Sequence, residues 1–228
     1  MIEDVLKALG QMADPRFRRV LLLGVGLSVG LLAVVTAVLV WLATALIGPE
    51  ISLPFIGTVG WLDNAVGWTL LPVSLVLSVF LMVPVASIFT GLFLDRIAEA
   101  VEDRHYPGLP PARRQPLSEM LGETARFLAL VVGVNLLGLI AYLVLAPLAL
   151  FLFWGINGFL LGREYAQMSA ARRLPPDEAR AFRKRNSGTI RATGVLMAIP
   201  LSIPVINLLV PVLGAATFTH LFQRLNGR

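Results

Sequence analysis

The sequence predicts an all-α integral membrane protein: two full transmembrane helices, two re-entrant half-membrane hairpins and cytoplasmic helical extensions, in a single membrane domain over residues 1–228. Three observations carry that expectation. Of 228 residues, 57% are hydrophobic and 14% charged, against roughly 45–50% and about 25% in a soluble domain. Mean hydropathy is +0.79, so most side chains cannot face water. The charges also fall in blocks separated by four long uncharged runs. A soluble enzyme, a disordered chain and a nucleic-acid-binding domain are excluded as descriptions of the whole. With no cysteine, disulfides, thiolate metal sites and cysteine nucleophiles are excluded too. His105 and His220 make no metal-ligand pattern, and no cofactor is called for.

The first uncharged run, residues 20–49, has 30 residues, enough for one spanning helix of about 20. Ala43-Thr44-Ala45 has the small-x-small form of a signal cleavage site. The apolar stretch before it is longer than the roughly 7–15 residues of a signal core, so a retained anchor is expected at 20–47. An outer loop follows at 48–68. The second run, 64–94, has 31 residues and supplies a second span at 69–94. The third, 127–162, has 36 and the fourth, 192–223, has 32; two full crossings need about 40 residues plus a turn. Each is therefore expected to be a hairpin that dips in and returns, with a plain span kinked at proline as the alternative. Pro147 breaks the third run, with Gly155-Ile156-Asn157-Gly158 as an alternative, and Pro200, Pro204 and Pro211 break the fourth around Asn207. Broken backbone at membrane depth must face protein or water, which favours an oligomer.

Orientation comes from the 19 cations, 17 of them arginine. Residues 1–19 hold four, 95–126 five, 163–191 eight, and 48–68 none. Short loops rich in Lys and Arg stay in the cytoplasm, so the N-terminus, 95–126, 163–191 and the tail are expected inside. Phe55, Trp61 and Trp68 suit the outer interface. Within the inner segments, residues 94–102 read as helix up to Pro107, and 177–184 read as helix after Pro175-Pro176, with acids early and bases late along the dipole.

Candidate sites are few. Asp14-Pro15-Arg16-Phe17-Arg18-Arg19 opens the first span with a cap, a proline suited to the first turn, and arginines. Free N–H groups and guanidinium forks at a helix start suit a tetrahedral oxyanion. The same arginines suit an inside-positive flank whose side chains snorkel to headgroups. Gly26-xxx-Gly30 and Gly158-xxx-Gly162 read as close helix contacts. Ser87, Thr90, Asn135, Asn157, Ser202 and Asn207 fit either a polar path or interhelical hydrogen bonds. No acid lies inside an uncharged run, so no proton relay or sodium site is expected. The basic 163–191 segment is expected to meet anionic lipid and not nucleic acid.

Residues 194–221, G-VLMAIPLSIPVINLLVPVLGAATFTHL, carry a resemblance. Gly194, Ile199-Pro200 (or Ile203-Pro204), Asn207, Pro211 and Gly214-Ala215-Ala216-Thr217 match the C-terminal signature of the CysZ-type sulfate permease family, related to the etoposide-induced membrane proteins. Residues 15–21 resemble that family's Pro-Gly-Leu-Arg-Arg opening, with Arg16 and Phe17 in place of Gly and Leu. The resemblance implies an oligomeric permease or channel in a bacterial inner membrane, N-terminus inside, that takes up sulfate or a similar oxyanion. It assigns anion binding to Arg18 and Arg19. Pro200, Pro204, Asn207, Pro211 and Gly214 would then form the pore or hairpin. A non-transporting membrane scaffold that holds lipid headgroups is the alternative.

Overall fold

A computed structural model describes residues 1–47, 52–53, 57–58 and 93–227. Phe55, Trp61, Trp68, Ser87 and Thr90, and nearly all of the expected second span, lie outside the described residues. Apart from a two-residue antiparallel pair in the expected outer loop, Ser52↔Thr58 and Leu53↔Gly57, the described chain is helical. Contacts divide it into two units, Met1–Leu21 with Phe93–Arg228, and Leu22–Leu92.

Helix α1, Ile2–Gly10, buries Asp4 and Ala8, four residues apart on one face. Helix α2, Pro15–Ile47, runs 33 residues, about 50 Å at 1.5 Å per residue. Its start is capped as the sequence predicts: Arg16 donates its backbone N–H to Asp14 Oδ1 at 2.8 Å. In the second unit, a Cβ added at Gly26 or Gly30 would meet nothing within 4 Å. Among the described residues, then, that glycine pair has no helix against it.

Helix α3, Asp95–His105, ends before Pro107, and α4, Leu117–Val144, is 28 residues long. A 3-10 turn at Ala146–Leu148 leads into α5, Ala149–Ala171. The chain therefore breaks at Pro147, while the alternative break at 155–158 is continuous helix. Charge-to-charge counting placed this hairpin at 127–162. The helices extend beyond both limits, because α4 starts in a stretch that holds Glu119, Glu123 and Arg126. At about 42 Å and about 35 Å, α4 and α5 are each long and apolar enough to cross a membrane. Length therefore does not force this hairpin to turn back at mid-depth. The outer face of α4 carries exposed Leu128, Val132, Leu136, Leu139 and Leu143, a stripe at helical spacing that suits lipid.

The fourth run is broken where its prolines stand. Helix α6, Pro176–Arg185, and α7, Ser187–Ala198, precede a 3-10 turn at Ile199–Ser202. Short α8, Pro204–Asn207, and α9, Val210–Leu225, complete the chain. The legs α7 and α9 have 12 and 16 residues, about 18 Å and 24 Å, both short of a hydrocarbon core of about 30 Å.

These helices meet through small residues. A Cβ on Gly158 would lie 2.6 Å from Val195 Cα, and one on Gly162 would lie 2.7 Å from the Ile190 carbonyl oxygen. Gly194 presses from the other side onto the Gly158 carbonyl. Gly158-xxx-Gly162 is thus a close helix contact, with α7 as its partner. Helix α9 is the buried one, with Tyr165 stacking on Phe218 at 5.9 Å and Phe182 meeting Phe222 at 5.0 Å.

Candidate functional site

In the first turns of α2, Phe17 and Val20 face the core at 0% and 2% exposure. That three-residue spacing turns Arg16, Arg18 and Arg19 outward. Arg16 is spent on Asp103, Nη1 to Oδ2 at 2.7 Å. Arg18 and Arg19 are exposed and, among the described residues, their guanidinium groups have no hydrogen bond or ion pair. The backbone at this helix start is less open than its sequence suggests. Asp14 takes the Arg16 N–H, so the chain's own carboxylate occupies part of the place an anion would use. What remains for a ligand is the pair of guanidinium forks.

The fourth-run candidates are dispersed. Pro200 lies in the 3-10 turn, Pro204 opens α8, Asn207 ends it exposed, and Pro211 sits half-buried in the first turn of α9. Gly214 is buried, and a Cβ there would come within 2.7 Å of Tyr165 Cε2; glycine lets the ring lie against the helix. No hydrogen bond or ion pair joins any of these to Arg18 or Arg19 among the described residues.

The other polar candidates serve locally. Asn135 and Asn157 donate to the carbonyls four residues back, Val131 at 2.8 Å and Phe153 at 2.9 Å, bonding within their own helices and not between helices. Ser202 is interhelical: Trp154 Nε1 donates to its Oγ at 2.9 Å, tying the break in the fourth run to α5.

A charged cluster that sequence reasoning missed sits beneath α9. Glu102, 7% exposed, accepts from Arg172 at 3.1 Å and from Arg173 at 2.6 Å, and Gln223 Nε2 reaches it at 3.5 Å. Arg172 also pairs with Asp95 at 2.8 Å, and Arg173 donates to the Pro110 carbonyl. Beside it, Tyr106 Oη and His220 Nδ1 share a hydrogen bond of 2.9 Å. Glu102, Tyr106, Arg172 and Arg173 border a polar cavity of about 490 Å³, completed by Glu99, Asp103 and loop 107–112. Next to Gln223, at the same C-terminal end of α9, Arg224 makes a forked pair with buried Asp4, Nη2 to Oδ2 at 2.8 Å. No local pattern announces these pairs, since Glu102 and Arg172 lie 70 positions apart. Among the described residues no group of acids and histidines could hold a metal ion.

No individually curated protein matches the chain. A family profile does, and it reaches from the buried Asp4 of α1 to Pro211 in α9, taking in the Arg18–Arg19 turn, the third run and the fourth as far as Pro211. Matching that profile over residues 4–211, the chain belongs to the sulfate transporter CysZ/etoposide-induced protein 2.4 family.

Proposed function

We propose that the protein is a permease or channel that carries sulfate or a similar small oxyanion across a bacterial inner membrane, with Arg18 and Arg19 docking the anion. The observation that carries this reading is the family match over 4–211 on a chain whose two motif arginines have, among the described residues, no hydrogen bond or ion pair at their guanidinium groups. Guanidinium forks bind tetrahedral oxyanions in a bidentate way, and in this turn Arg16 alone has its charge neutralised. The N-terminus lies on the cytoplasmic side, α2 spans fully, and the fourth run dips partway. The short legs of α7 and α9 support that last point. Re-entry of the α4–α5 hairpin rests on the charge bias of the flanking segments. Backbone dipoles at the break between Pro200 and Pro211 face the anion near mid-membrane. Exposed apolar faces and broken backbone at depth favour a homo-oligomer, and transport runs downhill.

Labelled sulfate uptake into proteoliposomes tests this. Wild type should take up sulfate saturably, and Arg18→Ala/Arg19→Ala should abolish uptake while unfolding at the same temperature. Uptake that survives the double change would remove these arginines from the site. Folded, inserted wild-type protein with no uptake above empty liposomes would leave the alternative, a scaffold whose arginines hold anionic headgroups.

A further inference from the structure

One cleft in the structure gathers five cations into its wall. It lies between the end of α5, α6 and the start of α7, with a volume of about 440 Å³. Arg163, Arg180, Arg183, Lys184, Arg191 and Ser187 form its polar wall, and no carboxylate lines it. Arg180 is held by Asp177 at 3.2 Å and Glu123 at 3.4 Å. Among the described residues, Arg163, Arg183 and Lys184 have no ion pair or side-chain hydrogen bond. Arg191 only lies over the Phe159 ring, 5.7 Å from its centre.

Arg183 is the most telling of the group. Its Nε is buried with no hydrogen-bond partner, although α6 could have aimed so long a side chain into solvent. Burial first, and then the facing charge of Arg163, push its guanidinium below the ordinary value, with Glu123 opposing. A fold that gathers unpaired cations stores repulsion, and a bound anion relieves it. The donors match one chemical class. Several guanidinium groups converging from three helices provide forks for a tetrahedral anion, and Ser187 brings the first turn of α7, with its free amides, to the same place. Phe159 and Ile190 complete the lining, an apolar wall beside the charged one.

We propose that this cleft binds a tetrahedral oxyanion, a phosphate or sulfate group, as a second anion site separate from Arg18 and Arg19. The group arrives either as a phospholipid headgroup, whose glycerol end would lie on Phe159 and Ile190, or as a free anion. The site does not depend on the transport reading.

The test uses the full chain in neutral detergent, washed free of lipid. The Arg18→Ala/Arg19→Ala background keeps the two sites apart. Thermal unfolding is followed with sodium sulfate or phosphate against chloride at equal ionic strength. A parallel series uses phosphatidylglycerol or phosphatidic acid against phosphatidylcholine, with native mass spectrometry to count retained lipids. Stabilisation by the acidic lipids alone identifies a headgroup, stabilisation by the free anions alone identifies a soluble ligand, and a response to both shows that the oxyanion suffices.

Arg163→Gln/Arg183→Gln should weaken apparent binding by about tenfold or more, as loss of charge-assisted hydrogen bonds requires. Arg114→Gln/Arg185→Gln, which removes equal charge outside the cleft, should leave binding unchanged. Arg183→Gln alone should raise the unfolding temperature without ligand, because it removes an uncompensated cation; this single variant also serves if the double one does not fold. No stabilisation in any arm, binding retained in Arg163→Gln/Arg183→Gln, or equal loss in the control pair would each overturn the site.

Discussion

Arg172 and Arg173 lie eleven and ten residues from Arg183 in the same basic segment, yet the fold treats them oppositely. Arg172 is 8% exposed and its charge is met by Asp95 and Glu102; Arg173 shares Glu102 and is 12% exposed. Arg183 is also partly buried, and no carboxylate meets it among the described residues. Arg18 and Arg19 are like Arg183 in lacking a carboxylate partner among the described residues and unlike it in being exposed. Where an acid is supplied, arginine closes the structure, because two desolvated charges satisfy each other. Where none is supplied, the charge is left for something outside the chain. The eight cations of 163–191 are therefore not one basic surface but two environments.

Removing the shared acid should have the largest effect on that contrast. Glu102→Ala removes the acid that Arg172 and Arg173 share, leaving Arg172 only the half-exposed Asp95 and Arg173 no carboxylate among the described residues, and should cost about 3–5 kcal/mol, read as a lower denaturation midpoint at unchanged slope. A loss under about 1 kcal/mol would show the cluster to be no more structural than a surface pair.

Asp4→Asn comes next, at about 1–3 kcal/mol, since it removes the charge and one of the two acceptor oxygens that meet Arg224 and the N-terminal ammonium. Burial pushes the Asp4 carboxyl up, but hydrogen bonds from Arg224 and the N-terminus outweigh it and hold the group below its ordinary value of 3.8. A folded value below the unfolded one makes this contribution complete above about pH 4 and lost as the pH falls through the folded value. In Asp4→Asn, stability should accordingly fall less steeply on acidification, while above pH 5 the two curves run parallel. Parallel curves throughout would separate Asp4 from acid unfolding.

The smallest change in stability is expected for Arg18→Gln/Arg19→Gln, within about 0.5 kcal/mol, because nothing in the fold leans on these charges. A drop above 1 kcal/mol in unfolding experiments would place them with Arg172 and weaken their assignment to an anion.

Much of the architecture was readable in residue order. The breaks at Pro147 and Pro200, the helices at Asp95–His105 and Pro176–Arg185, the Asp14 cap and the Gly158-xxx-Gly162 contact follow from local steric and electrostatic rules. The start of α4 at Leu117 was not readable from charge, because a helix can carry Glu119, Glu123 and Arg126 on its first turns without being broken by them. By sequence, Asn135 and Asn157 fit a polar path or interhelical hydrogen bonds. They bond back to their own helices, since in an apolar setting the nearest carbonyl is the available acceptor. The Arg18–Arg19 candidate was legible as a motif, and its geometry separates those two from Arg16, whose partner Asp103 lies on α3.

By itself, the sequence determined that the chain is apolar, helical and broken at prolines, because hydropathy and backbone freedom act over a few neighbouring residues. Which arginines are available was decided only in three dimensions. Arg172 and Arg183 both lack an acid three or four positions away, so no helix-spacing rule distinguishes them. The distinction comes from Glu102, brought 70 positions through space to one and not to the other. Charge acts across a few ångströms whatever the separation along the chain, so tertiary packing alone sorts structural cations from binding ones.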